Sequence, residues 1–116
     1  MEIHINVDCH DLDVMVAFYT AALGYEPFGS AGDRYRSIVA ADGNGPKLVF
    51  QQVPEPKLAK NRVHLDVIVG DAIDAEVERF LALGARRLEG AEFDEYGSRW
   101  IVLADPEGNE LCLCTT

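Results

Sequence analysis

Two histidines occupy the same place in a pattern that the chain contains twice. His4 opens the run His-x-Asn-Val-x-x-x-Asp, and His64, 60 residues later, opens the run His-x-Asp-Val-x-x-x-Asp. A neutral imidazole can bind a metal ion or accept a proton near neutral pH. Two copies that face each other would bring both imidazoles into one pocket. In the structural alternative, each histidine only hydrogen-bonds the polar residue two positions on, Asn6 or Asp66.

A second repeated pattern shows that the duplication covers most of the chain. The run Arg-x-Ile-Val-x-Ala-Asp-x-x-Gly-x-x-Leu begins at Arg36 and again at Arg99, 63 residues later. An internal repeat of this kind indicates one supersecondary unit used twice. Each half of a 116-residue chain would be marginally stable alone, so we expect the two copies to fold together.

The hydrophobic pattern predicts the same opening elements in each copy. In the first copy, apolar residues alternate along a strand over 2–9, and a helix follows that Asp11 caps and Gly24 ends. In the second copy, a strand over 62–69 precedes a helix that Asp71 caps and Gly84 ends. Each module therefore begins with a strand and a helix.

Three short strands are expected after each helix, because turn residues divide the remaining sequence. They are predicted at 25–29, 34–41 and 46–53, then at 86–89, 98–104 and 109–115. The fold class is therefore α+β, with tandem duplicated βαβββ modules that form a curved mixed sheet around a cleft. We predict one domain over 1–116, with module one at 1–53, a linker at 54–61 and module two at 62–116.

The composition restricts the classes of partner. The chain carries 10 basic and 20 acidic side chains, a formal net charge of −10, which disfavours nucleic acid and anionic membranes. No apolar run reaches the ~20 residues of a membrane span, and no signal peptide follows Met1, so we expect a cytoplasmic protein. A neutral or cationic small molecule suits the charge better.

Three runs carry a resemblance to a known family. They are His-Ile-Asn-Val-Asp-Cys at His4, His-Leu-Asp-Val-Ile-Val at His64, and Leu-Ala-Asp-Pro-Glu-Gly-Asn-Glu-Leu at Leu103. They resemble the opening strands and the closing turn of the vicinal oxygen chelate superfamily, which includes glyoxalase I, extradiol dioxygenases, fosfomycin-inactivating enzymes and bleomycin-resistance proteins. The resemblance covers nearly the whole chain and is nearest to the small glyoxalase-like domain proteins. It implies a single glyoxalase-like domain that binds a small molecule.

The resemblance implies that His4 and His64 are metal ligands. In metal-dependent members the first strand of each module supplies a histidine or a related ligand, and the last strand supplies a glutamate. The glutamate commonly lies seven residues after the aspartate of the closing turn. Cys112 stands at that spacing from Asp105, and Val49 takes the equivalent place in module one.

Strand alternation offers other donors for such a site. Glu110 shares a face with Cys112, and Gln51 shares a face with Val49. We therefore consider His4, His64 and Glu110 as metal ligands with Cys112 or Gln51 as a fourth, or Glu110 as a catalytic base. Such a set suits a divalent ion such as Zn²⁺, Ni²⁺, Fe²⁺ or Mn²⁺ and would support lyase, isomerase or dioxygenase chemistry.

The alternative is a metal-free pocket that sequesters a ligand, as the bleomycin-resistance proteins do. Phe50, Phe93 and Trp100 would supply apolar contact, although core packing explains aromatic residues equally well. Arg99 would hold an anionic group of the ligand or pair with acidic side chains. We also expect a homodimer, because open sheets leave edge strands that pairing would protect.

Overall fold

The computed structural model describes the whole chain, residues 1–116, as two compact units. Unit one comprises Met1–Pro56 and unit two comprises Lys57–Thr116. Each unit contains a four-stranded mixed sheet and one long helix in the order βαβββ. The predicted α+β fold of repeated βαβββ modules is therefore confirmed. The single domain and the cleft between the modules stay predictions.

Unit one begins with the strand that carries His4. Its strand order is β1-β4-β3-β2, in which β1 runs parallel to β4 and the other neighbours are antiparallel. The elements are β1 (His4–Cys9), α1 (Leu12–Leu23), β2 (Tyr25–Ala31), β3 (Tyr35–Ala40) and β4 (Lys47–Gln52).

Unit two repeats this topology, with strand order β5-β8-β7-β6 and a parallel β5–β8 pair. The elements are β5 (Leu65–Ile68), a single 3-10 turn (Gly70–Ala72), α2 (Ile73–Leu83), β6 (Arg86–Glu95), β7 (Ser98–Ala104) and β8 (Glu110–Cys114). Strand β5 is shorter than the predicted strand, so His64 lies directly before it. Strand β6 is longer than predicted, because its pairing with β7 resumes after a register shift between Arg87 and Glu92.

The helix ends confirm the predicted cap at Asp11 and show that the predicted cap at Asp71 is wrong. The Asp11 carboxylate accepts a hydrogen bond from the Val14 amide at 3.1 Å, and Gly24 ends α1 in the left-handed conformation with φ of 68°. Gly84 likewise ends α2, as expected. Asp71, however, does not cap α2, because it lies within the 3-10 turn that precedes the helix, and the cap position is Ala72.

Each helix covers one face of its own sheet. In unit one the Tyr19 ring of α1 stacks on Phe50 of β4, and in unit two Asp74 of α2 binds Arg99 of β7. Strand alternation places the other face away from the helix, and we call it the helix-distal face. The fully buried side chains between each helix and its sheet include Met15, Ile38, Leu48, Phe50, Val77, Phe80, Leu103, Leu111 and Leu113. Neither helix is long and apolar enough to cross a membrane.

Candidate metal and ligand site

Three side chains with metal-binding atoms converge on the helix-distal face of unit two. They belong to His64, Asp66 and Cys112, and their ligand atoms all lie within 4.8 Å of one another. The parallel register of β5 and β8 sets Asp66 opposite Cys112. His64 precedes Asp66 by two residues and so projects to the same side. The cluster is thus a direct product of strand alternation and parallel pairing.

The three groups differ in exposure. The side chains of His64 and Asp66 are 37% and 58% exposed, and Nε2 of His64 lies 3.2 Å from Oδ1 of Asp66. Cys112, on the inner strand β8, is only 5% exposed. Burial, followed by the nearby Asp66 carboxylate, raises the pKa of the Cys112 thiol to about 12. A hydrogen bond between Cys112 and the Asp66 carboxylate contributes to this shift.

The spacing of these three donors fits a single divalent ion. Two ligands bound to a tetrahedral ion at about 2.0–2.3 Å stand about 3.3–3.8 Å apart. The separation of 3.2 Å between His64 and Asp66 is close to that spacing. Since no pair of ligand atoms exceeds 4.8 Å, shifts of about 1 Å would bring all three into coordination.

Glu110 lies on the same strand as Cys112 but already has two partners. Its Oε1 binds Nζ of Lys57 at 3.0 Å, and its Oε2 accepts the backbone N–H of Asn61 at 2.9 Å. Burial alone would raise the pKa of Glu110, but the hydrogen bonds from Asn61 and Lys57 outweigh it and lower this pKa. The carboxylate fastens the segment before β5 to the start of β8. Its roles as a metal ligand or base stay predictions.

The structure places the unit-one candidates on two different faces. His4 is exposed on the helix-distal face of its own sheet, and its Nε2 lies 2.9 Å from Oε1 of Glu2. Gln51 of β4 lies on that same face, opposite Asp8 of β1. Phe50 lies on the helix-covered face, fully buried, with its ring centroid 5.5 Å from that of Tyr19. The packing of Phe50 against α1 accounts for this aromatic residue.

The unit-two aromatic candidates form a stacked pair. The rings of Phe93 and Trp100 are 5.3 Å apart with an angle of 17° between their planes. Trp100 pairs with Cys114, two residues from Cys112, so the aromatic pair shares the helix-distal face with the donor cluster. Phe93 keeps 37% of its surface exposed. The stack therefore offers apolar surface on the same sheet face as the three donors.

Arg99 lies on the opposite face of the same strand. Its guanidinium binds both carboxylate oxygens of Asp74 at 2.9 and 3.0 Å and also contacts Glu92. These bonds raise the pKa of Arg99 and lower that of Asp74. Arg99 therefore connects α2 with β7 and β6. Pairing with acidic side chains is one of the two roles that the sequence allowed for it.

Asp66 is the residue whose part in this cluster the sequence did not reveal. The sequence indicated Asp66 only as a possible hydrogen-bond partner of His64. The signal was incomplete, because alternation places Asp66 beside His64 but says nothing about Cys112. Only the parallel β5–β8 pairing brings the carboxylate and the thiol together.

Comparisons with known proteins agree with this architecture. The family model described as "Glyoxalase-like domain" matches residues 4–114. A comparison with curated proteins gives no match.

Solved structures with the same fold are similar over most of their length. A glyoxalase/bleomycin resistance protein/dioxygenase family enzyme from Burkholderia phytofirmans PsJN is 22% identical, with 96% of this chain and 94% of that chain covered and a TM-score of 0.77. The fosfomycin resistance protein FosX from Mesorhizobium loti is 17% identical over 100% of this chain and 92% of that one, with a TM-score of 0.76.

A mutant FosX from Listeria monocytogenes was solved in complex with Mn(II) and 1S,2S-dihydroxypropylphosphonic acid. It is 20% identical, with 97% of this chain and 86% of that chain covered and a TM-score of 0.79. At these identities the likeness shows the fold alone, and the family follows from the model that matches nearly the whole sequence. The chain belongs to the glyoxalase-like domain family.

Proposed function

We propose that this protein binds a small molecule at a divalent metal ion on the helix-distal face of unit two. The observation that carries the proposal is the convergence of His64 with donors from β5 and β8. His64 would be the principal ligand, because a neutral imidazole can bind such an ion without first losing a proton. A FosX structure of the same fold was solved with Mn(II), which supports a metal ion in a site of this fold.

The bound ion would act as a Lewis acid that polarises an oxygen of the small molecule. Asp66 would be a second ligand, since its Oδ1 lies 3.2 Å from Nε2 of His64, close to the spacing of two donors on one ion. The Phe93–Trp100 stack would contact the apolar part of the ligand and exclude water from it. Chemistry of the lyase, isomerase or dioxygenase type is consistent with this arrangement. Proton transfer by Glu110 would first require its pair with Lys57 to open.

His4 holds the equivalent position in unit one, and we propose it as a further ligand on the basis of the repeat alone. Its substitution is therefore informative whichever way it turns out. Retention of metal by His4→Ala would assign the site to unit two by itself. Loss of metal would assign it to both units.

A second candidate is metal-free ligand binding of the bleomycin-resistance type. Two observations favour it: the part-exposed Phe93–Trp100 stack and the net charge of −10, which attracts cationic molecules. In that case the same face would bind an aromatic cation directly. A ligand that prefers the folded state would then raise the melting temperature without any metal.

The deciding experiment measures the metal retained by the purified chain. Stripped protein would be incubated with Zn²⁺, Ni²⁺, Fe²⁺ or Mn²⁺ and desalted, and its metal content would be measured by mass spectrometry. We expect stoichiometric metal in the wild type, its loss in His64→Ala, and its retention in His10→Ala. His10 is the matched control because it is the one other histidine and lies outside the repeat.

Absence of retained metal with all four ions would overturn the metal proposal. A thermal shift by aromatic cations in the same stripped protein would then establish the metal-free function. Equal retention by His64→Ala would show that metal binds elsewhere on the chain.

A further inference from the structure

Cys112 stands where the family's closing strand commonly carries a glutamate, and this exchange changes the chemistry of the site. We propose that the sulfur of Cys112 is itself a metal ligand and that it makes the site select a thiophilic ion such as Zn²⁺ over Mn²⁺. The inference rests on the proposed metal function and specifies which ion it uses.

The position of the sulfur supports direct coordination. Sγ of Cys112 lies within 4.8 Å of the ligand atoms of both His64 and Asp66. Strand β8 lies between β5 and β7, so hydrogen-bonded neighbours on both sides fix the backbone at Cys112. Since the residue is 5% exposed, its rotamer is also restricted. A preorganised donor binds an ion with less loss of conformational freedom than an exposed side chain does.

The neighbouring residues of β8 cannot take the same role. Cys114 faces the same side but lies two residues further, about 6.5–7 Å along the strand. It is not one of the three side chains whose ligand atoms lie within 4.8 Å of one another. Glu110 is two residues in the other direction and is bound to Lys57 and Asn61. Cys112 is therefore the residue of β8 that shares the cluster with His64.

The donor types decide the preference among ions. Manganese and magnesium favour oxygen ligands, whereas thiolate together with imidazole favours Zn²⁺ and its neighbours in the transition series. A thiol that coordinates such an ion is deprotonated by it. The site would then contain one sulfur, one nitrogen and one oxygen from the chain, and a further position would stay open for a small molecule.

Cobalt provides a direct test, because a thiolate bound to Co²⁺ gives a charge-transfer absorption in the near ultraviolet. Stripped chain would be titrated anaerobically with Co²⁺. We expect the absorption in the wild type and in Cys114→Ser, and its loss in Cys112→Ser. Cys114→Ser is the matched control, since the same substitution is made one pleat away on the same face. Stoichiometric Zn²⁺ should abolish the absorption, whereas excess Mn²⁺ should not.

A second measurement avoids substitutions, in case Cys112→Ser does not fold. The wild-type chain would be loaded with cadmium and studied by cadmium NMR, in which a sulfur ligand moves the resonance downfield from sites of nitrogen and oxygen alone. A bound ion without the charge-transfer absorption and without the downfield resonance would overturn the thiolate assignment while leaving the proposed function intact. Failure to bind any ion would overturn both.

Discussion

One position along β8 decides whether a side chain belongs to the core or to the candidate site. Leu111 and Leu113 are fully buried on the helix-covered face, whereas Cys112 between them reaches His64 and Asp66. The alternation has a functional consequence, since a cysteine at 111 or 113 would be only a core residue. The sulfur of Cys112 can act as a ligand because it shares its face with two further donors.

Glu110 allows a prediction about stability at the residue scale. We expect Glu110→Gln to lower the free energy of unfolding by about 1–2 kcal/mol at neutral pH, because Lys57 loses its charged partner and the Asn61 amide loses a charged acceptor. The side chains of Glu110 and Lys57 are 14% and 24% exposed, so solvent screens this pair only in part.

The pH dependence of this effect follows from the lowered pKa of Glu110. A carboxyl whose pKa is lower in the folded state contributes stability above its ordinary value of 4.5 and loses it as pH falls through the folded-state pKa. The difference between wild type and variant, measured by urea unfolding over a pH series, should therefore be full at neutral pH and shrink in acid. Glu89→Gln, an exposed control, should change little. A difference that stays constant into strong acid would contradict the assignment.

At the scale of elements, local signals in the sequence were sufficient for unit one. Alternation identified β1, and the carboxylate of Asp11 and the missing side chain of Gly24 identified both ends of α1. These features depend on neighbours within one turn, so the sequence contains all that they require. The same reasoning failed at Asp71, because a 3-10 turn is inserted before α2.

Features that depend on pairing between strands could not be predicted from the sequence. The irregularity in β6 between Arg87 and Glu92 exists because β7 offers fewer residues to pair with than β6 supplies. The contact of Asp66 with Cys112 likewise requires the parallel register of β5 and β8. The repeat identified His64 and drew attention to Cys112, but no local pattern showed that Asp66 completes the cluster.

The end of α1 provides a prediction at this scale. Gly24 has φ of 68°, and a Cβ added there would meet no atom within 4 Å, so only the backbone conformation resists a side chain. Gly24→Ala should therefore lower the free energy of unfolding by about 1–2 kcal/mol, the cost of the left-handed conformation for an ordinary residue.

Gly29→Ala is the matched control for this prediction. Gly29 has no positive φ, and its added Cβ would only touch Oγ of Ser37 at 3.7 Å. Thermal or urea unfolding of both variants would separate the backbone effect from simple loss of glycine. Equal stability of Gly24→Ala and wild type would show that the helix can end in another way.

For the whole molecule, the duplication has preserved the topology while the chemistry of the two units has diverged. Both sheets have the same strand order and the same parallel pair. In β4, however, the residue equivalent to Cys112 is Val49, which pairs with Asn6 and carries no ligand atom. The donor cluster thus arises in unit two, and unit one contributes at most His4 and Gln51 of the predicted ligands.

Exposed apolar side chains beside edge strands support the predicted homodimer. Strands β1 and β5 each lie at one edge of their sheet, where backbone groups can pair with another chain. Ile3 and Val63 precede these strands and are 70% and 82% exposed, and Ile68 of β5 is 60% exposed. Burial of such side chains against a second copy would stabilise association by about 25 cal/mol per Å² of apolar surface.

Light scattering on a sizing column tests this association. We expect a particle of twice the 12.8 kDa chain mass. Ile3→Lys or Val63→Lys should shift it towards the single-chain mass, because burial of a lysine in the interface would remove water from its charge. Val14→Lys is the control, since Val14 is an exposed apolar residue on α1 rather than beside an edge strand. A single-chain mass for the wild type at all concentrations would exclude the dimer. A dimer that only Val14→Lys disrupts would instead place the interface on the helix.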